Sequence, residues 1–310
     1  MELTNREKYC YGIGGFGKDL VYALVATYFM FYLTDVKGLS SVFAGVLLCV
    51  ARIWDAINDP MMGMVVDNTR TKYGKFRPWI MMGTLINSII LVLMFAKFNI
   101  TGTALCIYVS VFYILWGMTY TLMDIPYWSF IPALTSSEEE RNVMSVIPRV
   151  FASFGYFIAT SCSLLFVNNF VVNKLGKDQE TGFFMLAIVI ATIFIITSSI
   201  TVFNVKEHHP SEENKKFKFK EIFTTIKNND QLVVIFGTIA LYTAALNITS
   251  GLGIYFFKYD VGNENLFSTF TMVIGLALFV YVKYYKLNGK YREEIMASLG
   301  EKHKEPELGL

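Results

Sequence analysis

The chain has 310 residues, of which 54% are hydrophobic and 16% aromatic, and its mean hydropathy is +0.45. Charged residues make up 17%, where a soluble chain carries about a quarter. This composition excludes a disordered, fibrous or disulfide-scaffold protein and argues against a soluble enzyme, and a net charge of +2 gives no basis for nucleic-acid binding.

A helix needs about 20 mainly apolar residues to cross a bilayer. In chain order the candidate spans are 10–33, 42–66, 79–97, 103–133, 146–170, 183–203, 232–257 and 267–285. Ile80–Ala96 and Phe183–Phe203 are nearly pure apolar runs, while other spans carry charges and are recognised by aromatic flanks. The first contains Lys18 and Asp19 and lacks a small-residue cleavage site, so it reads as a retained span and not a signal peptide. Lys and Arg gather in 67–77, in 204–230 and after 282, whereas 34–41, 98–102, 171–182 and 258–266 are short and poor in them. The positive-inside bias therefore places both termini and the long loop in the cytoplasm, with the protein in the cytoplasmic membrane.

The expected fold class is an all-α polytopic membrane protein. Residues 1–203 form a six-helix bundle, 204–231 a cytoplasmic inter-lobe loop, 232–287 a partial second lobe of about two helices, and 288–310 a cytoplasmic tail. Six spans, a long loop and further spans is the plan of a two-lobed secondary transporter, here with an undersized second lobe.

Ionisable residues inside the spans point to function. They are Lys18 and Asp19 in the first, Arg52, Asp55 and Asp59 in the second, Asp124 in the fourth and Arg149 in the fifth. Each would cost about 2.5–3.5 kcal/mol at a helix centre facing lipid, so they must face one another or water. Asp55, Asn58 and Asp59 share one helix face, a hard-oxygen cluster suited to Na⁺, Li⁺ or a proton. Thr121, Asp124 and Trp128 are also spaced by three and four. Thr121 offers a hydroxyl to the cation. Asp124 and Trp128 offer a carboxylate and an indole face to a sugar. Three cations against four carboxylates leave one negative charge, which one monovalent cation would neutralise.

Other signals carry less. Gly12–Gly17 matches G-x-G-x-x-G, but an apolar span follows it and no strand precedes it, so close helix packing is the better reading. His208, His209 and His303 lie in polar segments, no nucleophile–base pair or metal site emerges, and no enzyme or cofactor is expected. Cys10, Cys49, Cys106 and Cys162 read as small apolar packing residues.

Several strings have a known likeness. YGIGGFGKD (11–19), YLTDVKGLS (32–40), ARIWDAINDPMMG (51–63), RTKYGKFRPWI (70–80), YILWGMTYTLMDIPYWS (113–129) and PRVFAS (148–153) resemble the melibiose-carrier family of glycoside–pentoside–hexuronide:cation symporters, within the major facilitator superfamily. The resemblance implies six helices per lobe, with sugar and cation meeting between lobes. It implies a cation site at Asp55, Asn58, Asp59 and Thr121, supported by Arg52, and a sugar site at Lys18, Asp19, Asp124, Trp128 and Arg149. Asn58 and Thr121 favour Na⁺ over protons alone.

The resemblance breaks after Asn263–Phe267, where Phe270–Leu287 looks like the end of the family's final helix and about four helices have no counterpart. The expected function is Na⁺-coupled (or Li⁺- or H⁺-coupled) uptake of an α-galactoside such as melibiose, impaired by the shortened second lobe. The alternatives are a carrier for a glucuronide, pentoside or β-galactoside, and a membrane remnant that binds sugar or cation without transport. The expected partners are the sugar, the cation and the bilayer, with self-association as an outlet for an uncovered charged face.

Overall fold

The computed structural model describes residues 3–207 and 230–284. Four helices begin where a polar side chain satisfies one of their first free amides, ahead of the apolar run. Thr4 caps α1 (Asn5–Phe31) and closes a capping box with Glu7. Ser40 caps α2 (Ser41–Asn68), Ser137 caps α6 (Glu138–Leu164) and Asp178 caps α7 (Gln179–Asn204). Pro78 follows Arg77 in the first turn of α3 (Arg77–Met94). The helix α4 runs over Gly102–Ser129 and a short α5 over Ile131–Leu134. The seventh and eighth expected spans are helices α8 (Asp230–Tyr255) and α9 (Asn265–Tyr284).

Among the described residues six helices are long and apolar enough to cross a membrane, and they fall on the first six expected spans. The structure adds wider π-helical turns at the far ends of α1, α6 and α8, over Tyr32–Val36, Leu165–Lys174 and Phe256–Asp260. These carry Asp35, Asn168 and Lys258, the side chains that join the two parts of the chain. The histidines, most of the inter-lobe loop and the tail lie outside the described residues.

The helix α1 is the most buried element and packs against α6 and α7, while α3 and α4 form a second layer with α2 on its outer side. The glycines of 12–17 admit the neighbouring helices, as close packing through small residues requires. On α6, Gly155 lies against α1 so closely that a Cβ would sit 2.2 Å from the Phe16 carbonyl oxygen.

Polar contacts fasten the bundle at both ends. At one, Glu207 accepts the backbone amides of Lys75 (3.0 Å) and Phe76 (2.9 Å), so the segment leaving α7 caps the start of α3. At the other, Asp35 holds Lys258 Nζ at 2.5 Å and the Tyr259 hydroxyl at 2.7 Å. There Glu264 accepts from Asn168 and Gln179, both at 2.8 Å. This junction seats the α8–α9 turn on the bundle.

Gly155→Val should cost about 1–3 kcal/mol, because a backbone carbonyl cannot give way; thermal unfolding in detergent reads it. At the start of α7, the hydrogen bond from Lys97, followed by that from the Thr181 hydroxyl, lowers the Asp178 carboxyl to about 2. A depressed carboxylate stabilises the fold above its ordinary value near ~4 and loses that effect as pH falls through the lowered one. Amide protection in the first turn of α7 should hold at pH 5 and fall toward pH 2.

Candidate functional site

The helices α1 and α4 run alongside each other without close backbone packing, and side chains fill the space between them. Lys18 points into that space. Its side chain is 4% exposed, and its ammonium lies 2.8 Å from Asp19 and 2.7 Å from Asp124. An unpaired charge so placed would be costly. Lys18 has two carboxylates and three aromatic faces as compensation, Tyr120 at 5.9 Å, Tyr127 at 5.7 Å and Trp128 at 4.9 Å. Asp19 and Asp124 keep 24% and 29% of their side chains exposed, so the group is open on one side. From α6, the Arg149 guanidinium reaches the Trp128 ring at 5.8 Å. Trp128 therefore has a cation from α1 and a cation from α6 near its ring.

A second group forms where α2 meets α4. The Thr121 hydroxyl lies 2.9 Å from Asp59 Oδ1 and 3.1 Å from the Gly117 carbonyl. One turn back along both helices, Asp55 faces Gly117, where a Cβ would stand 3.1 Å from Asp55 Oδ1. Arg52 pairs with Asp55 at 3.3 Å and is itself 53% exposed. The Asn58 amide nitrogen is buried without a hydrogen-bond partner among the described residues. A buried orphan of this kind fits an amide turned so that its oxygen meets a ligand.

Contacts thus gather nine of the ten expected site residues into two adjoining groups, and Asn58 joins the second by its place on α2 beside Asp59. Lys18, Asp19, Asp124, Trp128 and Arg149 form one, and Arg52, Asp55, Asn58, Asp59 and Thr121 the other. The charges divide unequally. The first group is balanced, two cations against two carboxylates, and the second holds two carboxylates against one arginine. The excess negative charge is therefore localised between α2 and α4. Three neighbours escaped the sequence reading: Tyr120, Tyr127 and Gly117. Their signal was spacing, since Tyr120 and Tyr127 flank Asp124 by four and three positions and Gly117 precedes Thr121 by four.

Residues 10–287 match the family described as MFS/sugar transport protein. The chain is 29% identical over 279 residues to a lactose permease of Leuconostoc lactis, covering 84% of this chain and 44% of the permease. It is 31% identical over 273 residues to an isoprimeverose transporter of Lactiplantibacillus pentosus, covering 88% and 56%. With the inner membrane symporter YicJ of Escherichia coli (strain K12) it shares 28% identity over 270 residues, covering 86% and 57%. The chain spans about half the length of the curated relatives it matches.

Lys18→Met should strand Asp19 and Asp124 without their cation. Removing one partner of a fully buried pair costs about 3–5 kcal/mol, and the partial exposure of the two carboxylates brings this to about 2 kcal/mol. Adding Asp124→Asn should return part of that loss, as read by unfolding of the double variant.

Proposed function

The chain belongs to the MFS/sugar transport protein family, and from that membership we propose that it is a sugar:cation symporter carrying a glycoside with a monovalent cation by alternating access. The cation is Na⁺, with Li⁺ and H⁺ as substitutes, and it binds at Asp55, Asn58, Asp59 and Thr121. The sugar is an α-galactoside such as melibiose, bound at Lys18, Asp19, Asp124, Trp128 and Arg149. Both termini lie in the cytoplasm. Residues 1–203 act as one lobe, 204–231 as the connector and 232–287 as part of the second lobe.

The uneven charge division carries this reading. Two carboxylates facing one arginine between α2 and α4 favour a single positive ion, and Asn58, Thr121 and Asp59 supply uncharged and charged oxygen donors beside it. The balanced neighbour, with carboxylates exposed beside an indole, suits an uncharged polyol: carboxylates accept its hydroxyl hydrogen bonds and the ring packs on its apolar face. The groups touch through α4, where Thr121 and Asp124 are one turn apart. A cation that draws in Asp59 therefore fixes the helix that presents Asp124. Such coupling is reciprocal, so the sugar tightens the cation by the same factor.

A second reading, in which the carried sugar is a β-galactoside or a pentoside, is favoured by the names of the lactose and isoprimeverose relatives.

Calorimetry on the purified chain in lipid nanodiscs tests both readings. Melibiose, lactose and isoprimeverose are each titrated with Na⁺, with Li⁺ and with choline, the choline series repeated at lower pH. Na⁺ should raise the affinity of the preferred sugar about tenfold or more, and Asp59→Asn should abolish that rise while leaving residual sugar binding. Sugar affinity indifferent to Na⁺, Li⁺ and H⁺ would sink the proposal. Exchange of labelled sugar in preloaded vesicles then separates transport from binding alone.

A further inference from the structure

Since α1 packs against α6 and α7 while α4 packs against α2 and α3, something else must set the width of the space between α1 and α4. Side chains do so, in antiparallel order: Tyr11 meets Tyr127, Lys18 meets Asp124, Tyr22 meets Tyr120 and Phe29 meets Tyr113. The Phe29–Tyr113 stack is a ring contact that can slide, and at Tyr22–Tyr120 one hydroxyl alone reaches backbone, Tyr120 donating to the Lys18 carbonyl at 3.5 Å. The Tyr11–Tyr127 pair is different, because it is tied to backbone on both sides. The Tyr127 hydroxyl donates to the Tyr11 carbonyl at 2.7 Å, and the Tyr11 hydroxyl donates to the Tyr127 carbonyl. The two rings stack at 4.6 Å and 4°, and both residues are buried. Two rigid phenols anchored at each end fix a separation that flexible side chains cannot.

The brace also lies beside the sugar-binding group. A Cβ on Gly15 would stand 3.0 Å from the Tyr127 hydroxyl and 2.7 Å from the Pro148 carbonyl. The absence of that Cβ lets α1, α4 and α6 converge at one point. Trp128 follows Tyr127 and Arg149 follows Pro148, so the residues that meet at Gly15 are the neighbours of two site side chains. The Tyr127 ring itself lies 5.7 Å from the Lys18 ammonium.

We propose that Tyr11 and Tyr127 are positioning residues for the sugar site: their reciprocal brace sets the α1–α4 spacing and thereby places Trp128 between Lys18 and Arg149. The inference rests on the symporter reading for the ligand, but the brace is measurable without one. Tyr28 provides the control. Its hydroxyl also donates to a backbone carbonyl, that of Thr160, and it is equally buried, yet it packs with Phe183 and Phe267 away from the site.

The test uses the full chain in nanodiscs and the variants Tyr127→Phe, Tyr11→Phe and Tyr28→Phe, which keep the rings and remove one hydroxyl each. All three should lower the melting temperature. Tyr127→Phe and Tyr11→Phe should also weaken melibiose binding in Na⁺ by about fivefold, as loss of one buried hydrogen bond allows. Na⁺ binding without sugar should stay within about twofold of the parent, and Tyr28→Phe should leave melibiose affinity unchanged. Equal effects of Tyr127→Phe and Tyr28→Phe on sugar affinity, or none from either, would overturn the proposal. A ligand-free readout separates its failure from that of the symporter reading. In a chain with Trp128 as its lone tryptophan (Trp54→Phe, Trp79→Phe, Trp116→Phe), the emission maximum should shift in Tyr127→Phe and Tyr11→Phe but not in Tyr28→Phe. An unshifted maximum in the first two refutes the brace whatever sugar does. A shift with no glycoside binding to the parent chain refutes the symporter and leaves the brace standing.

Discussion

The arrangement turns on one buried cation. Lys18 enters an apolar bundle and remains charged there because Asp19 and Asp124 reach it at 2.8 and 2.7 Å and aromatic faces line the remainder of its surroundings. That need dictates the neighbourhood. Carboxylates must come from α1 and α4, the two helices must stand far enough apart to admit them, and the rings that fill the gap must tolerate a positive charge. Aliphatic side chains would fill the same volume without stabilising the ammonium. A polar cluster within a hydrophobic bundle therefore follows from a single lysine once its desolvation has to be offset.

The same electrostatic logic explains why two groups exist instead of one. A balanced cluster has no call on a further ion, and a cluster with one carboxylate in excess does. The division falls along one face of α4, where Asp124 and Trp128 meet side chains of α1 and α6, and Thr121 with Gly117, one to two turns earlier, meets α2. One helix thus belongs to both clusters, and its position is the variable they share.

Much of this was legible beforehand because membranes simplify inference. Charges among apolar residues stand out, and helical spacing puts Asp55 with Asp59 and Asp124 with Trp128. The caps of α1, α2, α6 and α7 came from the structure, and they start each helix ahead of its apolar run. What spacing could not supply was the partner across the gap. Nothing in the string around Tyr11 shows that it stacks on Tyr127, 116 positions away, because a tyrosine between Cys10 and Gly12 reads equally as interfacial aromatic or core filler. Gly117 was silent for a similar reason: its contribution is the space it leaves for Asp55. The π-helical ends were hidden too, since the extra residue in a wide turn changes no composition. It rotates Asp35 and Lys258 toward each other only once both helices are in place.

Glu207 ties the strand leaving α7 to the amides that open α3, immediately beyond the turn that ends α2. Tension along the segment leaving α7 would therefore be shared between that helix and the turn that joins α2 to α3. Mechanical load arriving at that turn would then reach Asp59 along α2, to which Lys75 is also joined through Asp67.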